Sequence, residues 1–310
     1  MSYNININIM VGVFMNHASL GTALIALIPA MLLCAFIYFK DKAEKEPLGL
    51  LAILFFAGAL IYFPVLYSEI GLGGAIDSLY SSKMEFSFDG RLTYVTRIDK
   101  IQHLSLFSFM VALMEEGAKW LLLFFITRKN KNFNYMFDGI VYSTVLSLGF
   151  AAAENIHFLI QNNSSLALAK LLTSVPAHLF IGVLMGYYYT MWHLRFTANK
   201  VENKMLTDGI VTEDRVRSSA IWMVGSFMIP LAVNGIYLLA GSVQSKIITF
   251  IFYFGVIFLY GVSFLVINYT ASKDCKTESY LIRIIAKGHP DLAVEKIKSA
   301  VSECAEGEEN

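Results

Sequence analysis

Seven runs of about 20 mostly apolar residues follow one another along this chain, and that succession restricts its fold more than any other feature. They lie at roughly 19–39, 48–68, 102–127, 138–160, 169–193, 218–241 and 247–270. A run of that length is what an α-helix needs to cross the hydrocarbon core of a bilayer. Backbone groups in that core must be satisfied internally, which leaves helices or closed barrels. The runs are continuous and do not alternate with period two, so the barrel is excluded. The chain is therefore expected to be all-α, a polytopic transmembrane helix bundle of about seven spans. Composition agrees, with 56% hydrophobic and 15% charged residues among 310, where a soluble domain carries about 25% charged. Formal net charge is zero, so the lipid bilayer and not nucleic acid is the expected partner. Cys34, Cys275 and Cys304 are spaced for neither a zinc knuckle nor a disulfide framework and are expected as free thiols.

Lysine and arginine counts outside the runs set the orientation. Seventeen fall on the side of the 40–47, 128–137 and 194–217 loops and the tail after 270, and six on the other. The N-terminus is expected outside and the C-terminus in the cytoplasm. Residues 1–18 then form an extracytoplasmic segment, 19–270 the transmembrane domain with an external loop at 69–100, and 271–310 a cytoplasmic tail. No basic segment precedes the first run, which predicts a span and not a cleaved signal peptide. A strand pair is expected around Met84–Val95. Ser279–Ala286 and Leu292–Val301 have helical periodicity, and the acidic last residues are expected to fray. The chain shows no internal repeat.

Several ionisable residues stand inside the runs. Glu115, Glu116 and Lys119 interrupt the third. Each charge at a helix centre costs about 2.5–3.5 kcal/mol on insertion scales, and each apolar neighbour returns only about 0.3–0.6. The apolar stretch Leu121–Ile126 offsets one charge, not three, so these side chains must face a cavity or partners. Glu115 and Lys119 are spaced for an intrahelical ion pair that neutralises itself. Glu116 points roughly 100° away from Glu115 and is left unexplained by that pair. In the fourth run, Glu154 and Asn155 follow Gly149 and Ala151–Ala153, small residues that permit close helix approach. His157, nearer the boundary, reads as interfacial. In the fifth run, His178 opens His178-x-x-x-Gly182-x-x-x-Gly186, a small-residue packing stripe with an imidazole on it. A histidine bonded to a neighbouring helix explains His178 equally simply. Counted from the outer helix ends, Glu154 and His178 lie roughly 10–13 Å deep, and Glu115 and Glu116 roughly 20 Å. One cavity is within reach of all four, and three carboxylates with an imidazole suit water activation, with or without a metal.

These residues resemble the successive motifs of the PrsW family. Glu115-Glu116-x-x-Lys119, Phe150-x-x-x-Glu154-Asn155 and His178-x-x-x-Gly182 stand in the family's order and spacing. Asp138-Gly139 and Asp41 with Lys45-Glu46-Pro47-Leu48 look familial too. The resemblance implies a membrane-embedded protease, related to the CAAX-processing and Abi membrane proteases and usually metal-dependent, so 19–270 becomes a protease-like domain of a bacterial plasma membrane. It also implies a single-span substrate, such as a membrane-anchored anti-sigma factor, cut near its extracytoplasmic side. The family's last motif pairs a His with an Asp or Asn four residues on. Here Asn234 stands at the His position and Leu238 at the second.

On this reading Glu115 or Glu116 takes a proton from water, Lys119 keeps a neighbouring carboxylate ionised, and Asn155 and Asn234 stabilise the oxyanion. Glu154 and His178 position the water or hold a divalent metal, with zinc expected. An amide at 234 is a poorer zinc ligand than imidazole. Two alternatives stay open: a catalytically degenerate scaffold or sensor, and an ion- or proton-coupled transporter. The second lacks the paired broken segments of matching halves.

Overall fold

Each apolar run folds as a helix. The computed structural model describes residues 17–80, 85–86, 92–93, 101–161, 164–216, 218–243 and 245–306. The long helices are α1 (His17–Lys40), α2 (Leu48–Tyr80), α3 (Ile101–Thr127), α4 (Asp138–Gln161), α5 (Ser164–Thr207), α6 (Ala220–Ser242) and α7 (Lys246–Ser272). Two shorter ones follow, α8 (Thr277–Gly288) and α9 (Val294–Glu306). Between α2 and α3, β1 (Glu85–Phe86) pairs antiparallel with β2 (Leu92–Thr93), where the sequence places a strand pair. The expected N-terminal segment lies almost wholly outside the described residues, as do the acidic residues 307–310. Among the described residues, five helices are long and apolar enough to cross a membrane: α2, α4, α5, α6 and α7. The central charges of α3 set it apart from these. The chain is a multi-pass helical membrane protein. The three cysteines are free.

The outer helices show the bilayer's imprint. Ile247, Phe250, Phe254, Ile257 and Leu265 of α7 are all at least 66% exposed. Large apolar side chains presented that way to water would each forgo about 1.5–3 kcal/mol of burial, so lipid is their solvent. α4 is the opposite case: 78% of its most apolar stretch is buried within the protein, against 17% for α7. It forms the centre, with α1, α2 and α5 packed around it and α6 against α3 and α5.

Small residues set how closely these helices approach. A Cβ on Gly58 of α2 would overlap the Leu146 carbonyl of α4, and one on Gly149 of α4 would overlap the Phe55 carbonyl of α2. Gly182 of α5 faces Thr144 and Ser147 of α4, and Gly186 packs on the Gly139 carbonyl. The stripe read from the sequence thus packs on α4. Gly186→Ala is expected to destabilise the protein by about 1–3 kcal/mol, because the added methyl meets backbone that cannot give way. Gly255→Ala on lipid-facing α7, where a Cβ meets nothing within 4 Å, should shift stability by less than about 0.5 kcal/mol. Denaturation in detergent micelles, read side by side, checks the contrast; equal effects would refute the tight α4–α5 contact.

Two boundaries differ from expectation. α2 continues past 68 to Tyr80, so the expected loop at 69–100 opens as helix, with Leu72 packed beside Leu104 and Tyr237. α5 runs to Thr207 through what reads as a polar loop at 194–217. Leu194, Ala198, Val201 and Met205 recur at helical spacing and bury against Leu281, Ile285, Ile297 and Val301 of α8 and α9. That amphipathic stripe is too sparse to register as a span but suffices to dock a helix. The tail is therefore a packed part of the molecule. His289 and the amides of Arg215 and Val216 bond Glu202 of α5, and Lys204 pairs with Glu303 at 2.8 Å. Its helices fall where the sequence places them.

Candidate active site

Three helices bring the buried charges together. α3 supplies Glu115, Glu116 and Lys119, α5 supplies His178, and α6 supplies Asn234; all five are at most 2% exposed. Because i, i+3 and i+4 share a helix face, one ammonium can serve both carboxylates. Lys119 Nζ lies 2.6 Å from Glu116 Oε1 and 3.8 Å from Glu115 Oε2. The closer partner is Glu116, not the Glu115 that spacing alone favours. The ammonium also sits 3.2 Å from His178 Nδ1 and 4.4 Å from the centre of the Phe150 ring. Phe150 thus gives the cluster a cation-facing wall.

Asn234 answers the remaining repulsion between the two acids. Its Nδ2 donates to Glu115 Oε2 at 2.9 Å and to Glu116 Oε1 at 2.8 Å. Both amide hydrogens are used, so in this arrangement Asn234 clamps the carboxylates and has none left for an oxyanion. Glu116 Oε2 makes no hydrogen bond. It is a buried acceptor with its lone pairs free.

Glu154 approaches the imidazole from the other side. Its Oε2 accepts from Ser174 Oγ at 2.6 Å and lies 3.2 Å from His178 Nε2, and its Oε1 accepts from Lys170 Nζ at 3.0 Å. A lysine on Nδ1 and a carboxylate on Nε2 assign the tautomer: Nε2 carries the hydrogen and Nδ1 presents its lone pair to the cluster. Glu154 was expected beside His178 as a metal ligand. The structure instead occupies both its oxygens with donors from α5, and its contact orients the ring. Glu154→Gln is expected to weaken any metal bound through His178 by about 10- to 100-fold, measurable by zinc titration of the purified protein. Unchanged affinity would remove Glu154 from this role.

Lys170 and Ser174 are the residues sequence reasoning missed. Lys170, at the outer end of the fifth run, is 2% exposed and pairs with Glu154. The signal was present, since Lys170, Ser174 and His178 recur every four residues and form one stripe of α5 facing Glu154. Asn155 is fully buried and its side-chain amide makes no hydrogen bond. His157 makes a hydrogen bond with the Tyr62 hydroxyl at 2.6 Å.

Among the described residues, Glu115, Glu116 and His178 form a group whose ligand atoms all lie within 4.8 Å of one another. Two carboxylates and a neutral imidazole suit a divalent ion such as zinc. A carboxylate behind the imidazole is the usual second support of such a ligand. The donor chemistry therefore fits a metal, with the Lys119 ammonium standing among the same donors.

Residues 46–267 match the family model described as PrsW family intramembrane metalloprotease. Similar curated proteins include Protease PrsW of Oceanobacillus iheyensis, 34% identical over 52% of this chain and 64% of that protein. Protease PrsW of Geobacillus kaustophilus is 29% identical over 67% of this chain and 74% of its own length. For Protease PrsW of Bacillus subtilis the figures are 30%, 62% and 77%. The chain thus spans just under two thirds of the first of these relatives. No solved structure matches it.

Proposed function

Because this chain belongs to the PrsW family of intramembrane metalloproteases, we propose that it is an endopeptidase that cuts a single-span, membrane-anchored regulatory protein within the bilayer. An anti-sigma factor cut near its extracytoplasmic side is the substrate class this reading favours. It places the enzyme in a bacterial plasma membrane with seven spans, α1 and α3 included, the N-terminus outside and the tail in the cytoplasm. The observation that carries the proposal is Glu116. Its Oε2 is free and buried, and its Oε1 is fixed by Lys119 and Asn234.

In the proposed reaction, Glu116 Oε2 takes a proton from a water as the water oxygen attacks the peptide carbonyl carbon. The carbonyl π electrons move to its oxygen. When the tetrahedral adduct collapses, the C–N bond breaks and the proton held by Glu116 passes to the leaving amine. Lys119 keeps Glu116 in its basic, ionised form by an opposite charge 2.6 Å away. Asn234 holds the two acids at a fixed separation, and Glu154 fixes the ring of His178. Glu115, Glu116 and His178 would hold a divalent metal, which would supply Lewis acidity and an acidified water there. Burial keeps bulk water from the charges and strengthens each interaction.

A degenerate scaffold or sensor is the rival reading. It is favoured by the Asn234 amide at the position of a family histidine and by the ammonium among the metal donors. Co-reconstitution of the full-length protein in liposomes with tagged single-span anti-sigma-type proteins separates the two. A fragment produced by wild type, and absent with Glu116→Gln, is expected. No fragment from wild type with any of these proteins would leave the scaffold as the better account.

A further inference from the structure

A second group of acids gathers at the opposite end of α4, where the tail docks. Asp41 closes α1, Glu46 precedes α2, Asp138 opens α4 and Asp274 follows α7. The connecting segments are stitched together there. Met136 N bonds the Cys275 carbonyl, Thr277 N bonds the Asn134 carbonyl, and Phe137 N donates to Asp274 Oδ1 at 3.0 Å. Some of the acids' oxygens are satisfied. Asp138 Oδ2 accepts from the amides of Asn134 and Tyr135, and Tyr142 donates to Glu46 Oε2 at 2.6 Å.

The other oxygens are not. Asp41 is 1% exposed, and neither of its carboxylate oxygens makes a well-formed hydrogen bond, the Glu46 backbone amide pulling on it from a looser geometry. Asp138 is fully buried with Oδ1 unbonded, and its carboxyl group meets that of Glu46. Asp274 Oδ2 is unbonded as well. Burial and the neighbouring acids Asp41 and Glu44 raise Glu46 to about 7, against the pull of the Tyr142 and Asp138 contacts. Burial holds Asp274 up at about 6. The cation facing this group is Lys45, whose ammonium is turned to the carbonyls of Tyr38 and Asp41, and Glu44 adds a further negative charge. Four carboxylates from three chain segments thus gather here, and the ammonium beside Asp41 is already engaged.

We propose that this cluster is a second cation site, separate from the mid-membrane one: Asp41, Glu46 and Asp138 bind a hard divalent cation of the Mg²⁺ or Ca²⁺ class, and Asp274 closes it from the tail. The donors are all oxygens, which selects hard cations over zinc. Such ions keep part of their water shell, so carboxylates need not crowd as closely as zinc ligands do. Binding would neutralise the buried oxygens that lack donors and fasten the tail to the α1–α2 and α3–α4 connections. The proposal does not depend on proteolysis.

The test uses full-length protein in nanodiscs, stripped with chelator and titrated with Ca²⁺ and, separately, Mg²⁺. Binding is read by equilibrium dialysis and stability by the thermal midpoint. Wild type is expected to bind one such ion per chain with a rise in midpoint. Asp41→Asn should weaken that binding by about tenfold or more, at least the loss expected of a second-shell change. The variant keeps a side-chain oxygen for the Glu46 backbone amide, so it removes the charge and little else. Asp138→Asn, whose remaining oxygen can still accept the Asn134 and Tyr135 amides, should behave alike. Glu116→Gln should retain this ion. Three results overturn the proposal: no saturable binding to wild type, full binding by Asp41→Asn, or a midpoint that follows pH while ignoring both cations, which would mean that shared protons alone neutralise the cluster.

Discussion

Glu116→Gln is expected to slow cleavage by about 10²- to 10⁴-fold, the range a positioned general base contributes, while the protein stays folded. Glutamine is nearly isosteric and keeps an oxygen for Lys119 and Asn234. It lacks the basic second oxygen that in Glu116 makes no hydrogen bond. Lys119 retains Glu115 at 3.8 Å, so the site does not lose all of its counter-charge. His178→Ala should reduce cleavage comparably, through loss of the imidazole that faces the acids, while leaving the Glu154–Lys170 pair intact at 3.0 Å. Both variants should be reconstituted beside wild type and checked for an unchanged thermal midpoint before fragments are scored. If Glu116→Gln cuts at the wild-type rate, the base is another group.

The second large effect is on stability. Lys119 is fully buried and is the ion-pair partner of two carboxylates. Lys119→Met preserves the stem and removes the charge, leaving two acids side by side out of water. Removing one partner from a buried ion pair typically costs about 3–5 kcal/mol, and a loss of that size is expected in chelator. Because the ammonium stands among the donors of Glu115, Glu116 and His178, its removal should also make the protein depend on metal. Zinc is expected to restore most of the lost stability to Lys119→Met and to raise that of wild type less. Denaturation with and without zinc measures both. A Lys119→Met protein as stable as wild type in chelator would mean that the acids share a proton and do not rely on the ammonium.

Local chemistry made much of this protein legible in its sequence. A run of some 20 apolar residues can be satisfied in a membrane only as a helix, and each such run is one. Charges in a span are costly wherever they stand, so Glu115, Glu116, Lys119 and His178 announced themselves as partners before any distance was known. Gly182 and Gly186 marked the face of α5 that packs on α4, because only small side chains let backbones approach so closely.

Tertiary structure decided who pairs with whom. Asn234 reaches Glu115 and Glu116 across 119 and 118 residues of chain, and no spacing rule predicts whether its amide will clamp carboxylates or face a substrate. Glu154 reads as a metal ligand until the register of α4 against α5 turns Lys170 and Ser174 onto its oxygens. The C-terminal part of α5 reads as a loop until α8 and α9 cover its apolar stripe. The four acids at the tail end come from three connections far apart in sequence and meet only when these fold over one another. The reason is common to all of these. Hydropathy and charge cost belong to a residue and its neighbours in the chain, whereas a hydrogen bond between helices depends on their rotation and register, fixed here by glycine contacts such as Gly149 on Phe55 and Gly186 on Gly139.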